Sequence, residues 1–320
     1  MGLLDGRVCI VTGAGRGLGR EHALALAAEG ASVIVNDLGG EVDGTGANTG
    51  PAAEVVAEIE AMGGQATANT DSVTDWEGAQ RMVNQAIETF GDLHVLVNNA
   101  GILRDRVLVN MTDAEWDAVI DVHLRGHFAP ARWAAAYWRE KTKETGDPVK
   151  ACIVNTSSGA MFGNPGQTNY SAAKAGIAAM TLVQAMELKR YGVRANALCP
   201  VARTRMTLQT PGLGETVGPP EDPGVFDVYD PANVSPLVAY LASADCPFSG
   251  GVFHVGGNEV GLFDGWSLAD ENVLVTDGRW TPQELEEHAP RLLEGRRSVA
   301  STTFNINSVF KRFGRRDPTV

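Results

Sequence analysis

Short apolar runs recur along the chain at Val8–Val11, Ser32–Val35, Val95–Val97, Cys152–Val154 and Ala195–Leu198. Between them lie Leu18–Glu29, Ala52–Met62, Trp76–Phe90, Asp113–Arg139 and Ser171–Tyr191, where apolar positions return with helical spacing. The strand-like runs are nearly continuous, which suits strands buried on both faces. Alternation of such strands with helices predicts an α/β fold, a doubly wound parallel sheet covered on both sides.

Two stretches break the rhythm. Leu38–Pro51 is a Gly-rich loop inserted after the second strand. Thr204–Asn233, rich in Pro, Gly and acids, falls between a strand end and the helix Pro236–Ser243, where a substrate lid would sit at the carboxyl edge of the sheet. Thr281-Pro282-Gln283-Glu284 reads as a capped helix start with Pro at its first position. The division expected is 1–262 for the sheet domain and 263–320 for a C-terminal helical extension that packs on the domain or on a neighbouring subunit.

Composition narrows the class. The chain of 320 residues is 44% hydrophobic, enough for one large core. A net charge of −13 and a pI near 4.9 argue against nucleic acid or an anionic membrane as partner. Between Met206 and Gly278 there are eleven acids and no Lys or Arg, whereas Arg291–Val320 has a net charge of +5. That basic tail suits either a phosphorylated ligand or an acidic neighbouring subunit. Cys9, Cys152, Cys199 and Cys246 share no metal-binding spacing and read as reduced core residues, with no metal site expected. No apolar run reaches the ~20 residues of a membrane span, and the N-terminus runs straight into a strand. A cytoplasmic protein is expected.

Candidate chemistry begins after the first strand. Thr12-Gly13-Ala14-Gly15-Arg16-Gly17-Leu18-Gly19 opens a helix, so its backbone can approach a pyrophosphate at a helix N-terminus. The second strand ends in Asp37, whose carboxylate can accept both hydroxyls of an adenosine ribose and repel a 2′-phosphate, favouring NAD over NADP. Arg16 points the other way, since a cation can pair with that phosphate. Asp71 and Ser72 follow the next apolar stretch; the Asp71 carboxylate can accept from an adenine amino group, while Ser72 or Thr74 also suits a helix N-cap before Trp76. Tyr170 and Lys174 lie at i and i+4, on one helix face, with Ser157 thirteen residues before the Tyr. That grouping places a hydroxyl beside a phenol made more acidic by a cation.

Taken together, Thr12–Gly19 as TGxxxGxG, Asn98-Asn99-Ala100-Gly101 and Ser157…Tyr170-xxx-Lys174 resemble the short-chain dehydrogenase/reductase family, with its Rossmann fold, over about residues 5–262. Val35–Gly40, Asn98–Arg106, Val122–Phe128 and Gly163–Lys174 are similar to its (3R)-hydroxyacyl-CoA and 17β-hydroxysteroid dehydrogenase branch. The resemblance implies NAD-dependent oxidation of a secondary alcohol, with Tyr170 as general base, Lys174 lowering its pKa and holding the nicotinamide ribose, and Ser157 steadying the substrate oxygen. It further implies that Pro200, Val201 and Thr204 meet the carboxamide, and that Asn99, Ala100 and Gly101 wall the adenosine side of the groove.

His123 stands where the family usually has an Asn in a water relay to the active-site Lys, and imidazole can both donate and accept. Arg104, Arg106, Arg125 and the basic tail are candidates for CoA phosphates, which favours an acyl-CoA over a steroid as substrate. The family also implies a homodimer or homotetramer, paired through the helices Asp113–Arg139 and Ser171–Tyr191. The alternatives are an NADPH-dependent 3-oxoacyl-thioester reductase, opposed by Asp37, and a non-catalytic dinucleotide-binding scaffold, opposed by the intact Ser157, Tyr170 and Lys174.

Overall fold

The structure, a computed structural model, describes residues 2–209, 217–222, 224–265 and 273–293. Its centre is a sheet of β1 (Val8–Thr12), β2 (Ser32–Asn36), β3 (Gln65–Asn69), β4 (Val95–Asn98), β5 (Cys152–Thr156), β6 (Arg194–Pro200), β7 (Val252–Gly256) and β8 (Glu259–Leu262). The spatial order is β3-β2-β1-β4-β5-β6-β7-β8; seven strands are parallel and β8 is antiparallel to β7. Strand order reverses direction beside β1, between it and β4, and a crevice opens there at the carboxyl ends of the strands.

Two apolar layers cover the sheet. On one face α1 (Gly17–Ala28), α2 (Gly50–Ala61) and α8 (Ser235–Ala242) pack on Cys9, Val11, Val33 and Val35. On the other, α3 (Trp76–Phe90), α5 (Gly126–Thr145) and α6 (Thr168–Leu188) pack on Val8, Ile10, Ile34 and Leu96. Alternate residues of β1 and β2 therefore feed opposite cores, which is why both runs are apolar throughout. The remaining described helices are α4 (Asp113–Ile120), α7 (Arg205–Gln209) and α9 (Pro282–His288). Thr281 and Glu284 form a reciprocal capping box at α9, at the start that the sequence marks.

The structure corrects two expectations. The helical run Asp113–Arg139 is two helices joined by a π turn over Asp121–Arg125. The extra residue in that turn swings His123 inward, where it is buried against Ile102. The cap of α3 is Asp75, which accepts from the Gly78 N–H, and not Ser72 or Thr74, whose hydroxyls bond each other at 2.9 Å. All four cysteines are buried and free. Among the described residues no helix is long and apolar enough to cross a membrane. The basic tail, apart from Arg291–Leu293, lies outside the described residues.

Candidate active site

The glycine turn is held from below. Gly13 and Gly17 have φ of +63° and +54°, which disfavours a side chain at either position. A Cβ at Gly19 would lie 2.1 Å from the Gly13 carbonyl oxygen and 2.6 Å from Asn99 Nδ2, so α1 can meet the turn only without one. Asn99 fixes the turn from the neighbouring strand end: its Nδ2 donates to the Thr12 and Gly13 carbonyls at 3.1 Å each. The Thr12 hydroxyl accepts from the Asn99 and Ala100 N–H groups. Asn99 thus braces the glycine turn as well as lining the groove.

Two cavities, of about 240 and 130 Å³, share Leu18, Asn99, Gly101, Thr204 and Met206 and form one groove across the sheet edge. The larger is lined by Gly13, Arg16, Gly17, Asp37, Asp71, Ser72 and Ala100. The smaller is lined by His123, Ser157, Tyr170, Lys174, Pro200 and Val201. Every residue expected to meet a dinucleotide lies on this groove except Gly19, which sits beneath it.

Asp37 bonds on both sides of the larger cavity. Its Oδ2 accepts from Gly15 N at 2.7 Å and its Oδ1 from Gly39 N at 2.6 Å. The carboxylate therefore ties the glycine turn to the inserted Leu38–Pro51 loop. Each oxygen keeps a lone pair for a ribose hydroxyl. The loop itself is pinned over the groove: Leu103 N donates to the Val42 carbonyl, Arg104 Nε to the Asp43 carbonyl, and Arg205 pairs with Glu41. Asp71 pairs with Arg81 at 2.6 Å and also accepts from Asn69. The groove fits a nicotinamide dinucleotide: a Cβ-free phosphate turn, a carboxylate at the ribose end, and Tyr170 and Lys174 at the other.

At that other end Lys174 is buried and donates to the Thr156 carbonyl at 2.6 Å. Its ammonium lies 5.3 Å from the centre of the Tyr170 ring. Burial pushes the lysine down to about 7 and the Tyr170 phenol up to about 12; a hydrogen bond with the Ser158 side chain opposes the rise of the phenol. Ser157 is turned differently: its hydroxyl donates to the Lys174 carbonyl at 2.8 Å. The neighbour Ser158, not singled out in the sequence, is the hydroxyl that meets the phenol. The SerSer pair itself was the available signal, since either member lies within reach of the strand end.

His123 packs edge-on against Tyr170, with ring centres 5.0 Å apart. Its Nε2 lies 2.8 Å from the Ile102 carbonyl oxygen and 3.1 Å from the Ile102 N, so either tautomer of the ring finds a partner on the Ile102 backbone. Gly101 makes room for the ring, because a Cβ there would lie 2.4 Å from His123 Cε1. Burial and the Lys174 charge hold the imidazole well below its usual pKa, so it is neutral near neutrality. A second histidine, His127, lies one turn on and is neutral for the same reasons.

Sequence reasoning also passed over the wall facing these residues. Asn164 donates to Gln167, which donates to Asp105 at 2.7 Å, and Asn164, Gln167 and His254 also line the smaller cavity. Of the expected CoA-binding cations, Arg106 pairs with Glu115, Arg104 holds the inserted loop, and Arg125 donates to the Thr74 carbonyl.

A family model described as short chain dehydrogenase matches residues 7–211. The chain is 46% identical over 290 residues to hydroxyacyl-CoA dehydrogenase ChsB1 of Mycobacterium tuberculosis, covering 88% of this chain and 87% of that one. It is 44% identical over 257 residues to peroxisomal multifunctional enzyme type 2 of Mus musculus, a match to 80% of this chain but 32% of that enzyme. A crystal structure of a short chain dehydrogenase from Mycobacterium avium superposes with a TM-score of 0.79 at 49% identity, covering 91% of this chain and 96% of that one.

Proposed function

Because the chain belongs to the short-chain dehydrogenase family of oxidoreductases, we propose that it oxidises the secondary hydroxyl of a 3-hydroxyacyl-CoA to a ketone, using NAD. The observation that carries this reading is the groove, with Asp37 at one end and Tyr170, Lys174 and Ser157 together at the other. The relative named a hydroxyacyl-CoA dehydrogenase, matched over 88% of this chain, supports the choice of substrate. A 17β-hydroxysteroid is the second substrate class that the apolar end of the groove suits.

A nicotinamide held in this groove would supply the hydride acceptor and, in its oxidised form, a positive charge near Tyr170. The protein supplies the rest. Tyr170, as phenolate, takes the proton of the substrate hydroxyl. Lys174 favours the phenolate by its charge and, from its place on the same helix face, holds the ribose. Ser157 steadies the substrate oxygen, and Ser158 stabilises the ionised phenol by hydrogen bonding. His123 backs the Tyr170 ring and passes protons through water toward Lys174. Asp37 holds the adenosine ribose through its hydroxyls and opposes a 2′-phosphate, while Pro200, Val201 and Thr204 meet the carboxamide.

Outside the groove, Phe128 of α5 and Leu182, Val183 and Met186 of α6 are 45–71% exposed, an apolar face that suits pairing with a second copy of the chain.

The test is the ratio of kcat/KM for a (3R)-hydroxyacyl-CoA and a 17β-hydroxysteroid, each with NAD and with NADP. The reading expects the acyl-CoA with NAD to lead by at least about tenfold over the same substrate with NADP. Faster turnover with NADP, or none of the acyl-CoA with either cofactor, contradicts it.

A further inference from the structure

A charged pair on the larger cavity, Glu41 and Arg205, has no part in the mechanism above. Both side chains line that cavity, and Arg205 Nη1 lies 3.5 Å from Glu41 Oε2. Neither side chain has another polar partner among the described residues. The arginine side chain is 45% exposed and the glutamate 69%, so water screens the pair and it holds the two groups together only weakly.

Each group is fixed by its own element. Glu41 belongs to the inserted loop, whose Val42 and Asp43 carbonyls accept from Leu103 N at 2.9 Å and from Arg104 Nε at 2.8 Å. The loop is therefore held in place whether or not Arg205 is paired. Arg205 opens α7, and the backbone there is braced: Thr204 N donates to Thr207 Oγ1 at 2.7 Å, and the Thr207 hydroxyl donates to the Ala202 carbonyl at 3.1 Å. This start of α7 lies against the glycine turn, since a Cβ at Gly17 would be 3.8 Å from the Thr204 methyl. One residue on, the Arg205 guanidinium rides a long stem beside the turn that suits a pyrophosphate. It has a choice of two anions: a single carboxylate across the cavity or, with a dinucleotide bound, the two phosphate groups.

We propose that Arg205 binds the cofactor by exchanging Glu41 for the pyrophosphate, and that Glu41, left behind on the cavity wall, speeds cofactor release. This rests on the dinucleotide reading of the groove and not on the choice of alcohol. A planar guanidinium bonds phosphate oxygens in pairs, and hydrogen bonds between charged partners are about twice as strong as neutral ones. The exposed contact with Glu41 is the weaker of the two. After the exchange Glu41 is an unpaired anion on the same cavity as the pyrophosphate, and like charges repel. The two side chains therefore act on the bound cofactor in opposite senses: the arginine holds it and the glutamate expels it.

NADH binding, followed by fluorescence in wild type, Arg205→Gln and Glu41→Gln, tests this, with stopped flow for the release rates. Arg205→Gln is expected to raise the Kd by about tenfold or more, because a hydrogen bond to a charged group is lost. The loss should be as large for ADP-ribose, measured by displacement of NADH, which keeps the pyrophosphate and lacks the nicotinamide. Glu41→Gln is expected to lower the Kd by about threefold and to slow release. A plain latch between the loop and α7 predicts the contrary, since losing either partner would then free the loop and speed release. Release from Glu41→Gln as fast as from wild type, or faster, overturns the inference. So does an Arg205→Gln variant that binds NADH and ADP-ribose as tightly as wild type. Thermal melting checks the fold of the variants, in which both apolar cores are untouched. If wild type binds neither NADH nor ADP-ribose, the dinucleotide reading of the groove falls as well.

Discussion

Lys174 is a buried ammonium with no carboxylate paired to it among the described residues, held by the Thr156 carbonyl beside the Tyr170 ring. Burial disfavours charge on both groups, pushing Lys174 to about 7 and Tyr170 to about 12. If Tyr170 is the general base, Tyr170→Phe should lower kcat for oxidation by about a thousandfold or more while NAD still binds, as titration would show. The rate should rise with pH as the phenol loses its proton. A nearby cation lowers that pKa, so Lys174→Met should move the rising limb of the kcat/KM profile to higher pH. The Ser158 hydrogen bond acts in the same direction, so Ser158→Ala should also move the limb upward, by less. A limb that stays in place in both variants would remove Lys174 and Ser158 from this role. The separation of Ser157 from Ser158 was not legible beforehand: adjacent residues at a strand end point to opposite sides, and which side faces the phenol depends on how the following 3-10 turn is capped. Ser158 caps it, accepting from Ala160 N.

The π turn shows at the level of elements what the pattern of the chain conveys and what it hides. The run Asp113–Arg139 keeps helical spacing on both sides of His123, so periodicity alone reads one helix. One extra residue in a single turn leaves little trace in that spacing, yet it buries His123 beneath Gly101. The five strands with continuous apolar runs were legible because their side chains enter two cores. By contrast β3, sequence QATAN, is an edge strand with polar positions, and β7 and β8 carry the polar His254 and Glu259. The glycine turn, Asp37 and the Tyr170–Lys174 helix face were legible because each is fixed by local geometry. The place of His254 was not, because it is the register of β7 with β6, far apart in sequence, that sets it beside Cys199. Gly101→Ala tests the coupling of turn and site: the clash with His123 should destabilise the protein by about 1–3 kcal/mol in denaturant unfolding and lower kcat. A fully active, equally stable variant would show that the ring moves aside freely.

Across the whole molecule, three buried histidines link stability to acid. Burial lowers His22, beside Ser235 at the start of α8, to about 3, and with the Lys174 charge holds His123 and His127 well below the usual imidazole range. The unfolded chain then binds more protons than the folded one below pH ~6.5. Their contribution is full above that pH and is lost as pH falls toward 3. The melting temperature should drop between pH 7 and pH 5, and His22→Gln should drop less than wild type; an equal drop would assign the acid lability elsewhere. The apolar face on α5 and α6 makes a second prediction at this scale. Met186→Asp, at a position 71% exposed, should reduce the sedimenting mass from an oligomer toward a monomer, and a wild type that sediments as a monomer would contradict the pairing. The central claim concerns the groove that both helical layers frame. It is tested most directly by following reduced nicotinamide as it forms from NAD and a (3R)-hydroxyacyl-CoA, with wild type and Tyr170→Phe side by side. Steady formation with wild type, reduced about a thousandfold in the variant, is the predicted result. No formation with wild type, or equal rates from the two proteins, would contradict it.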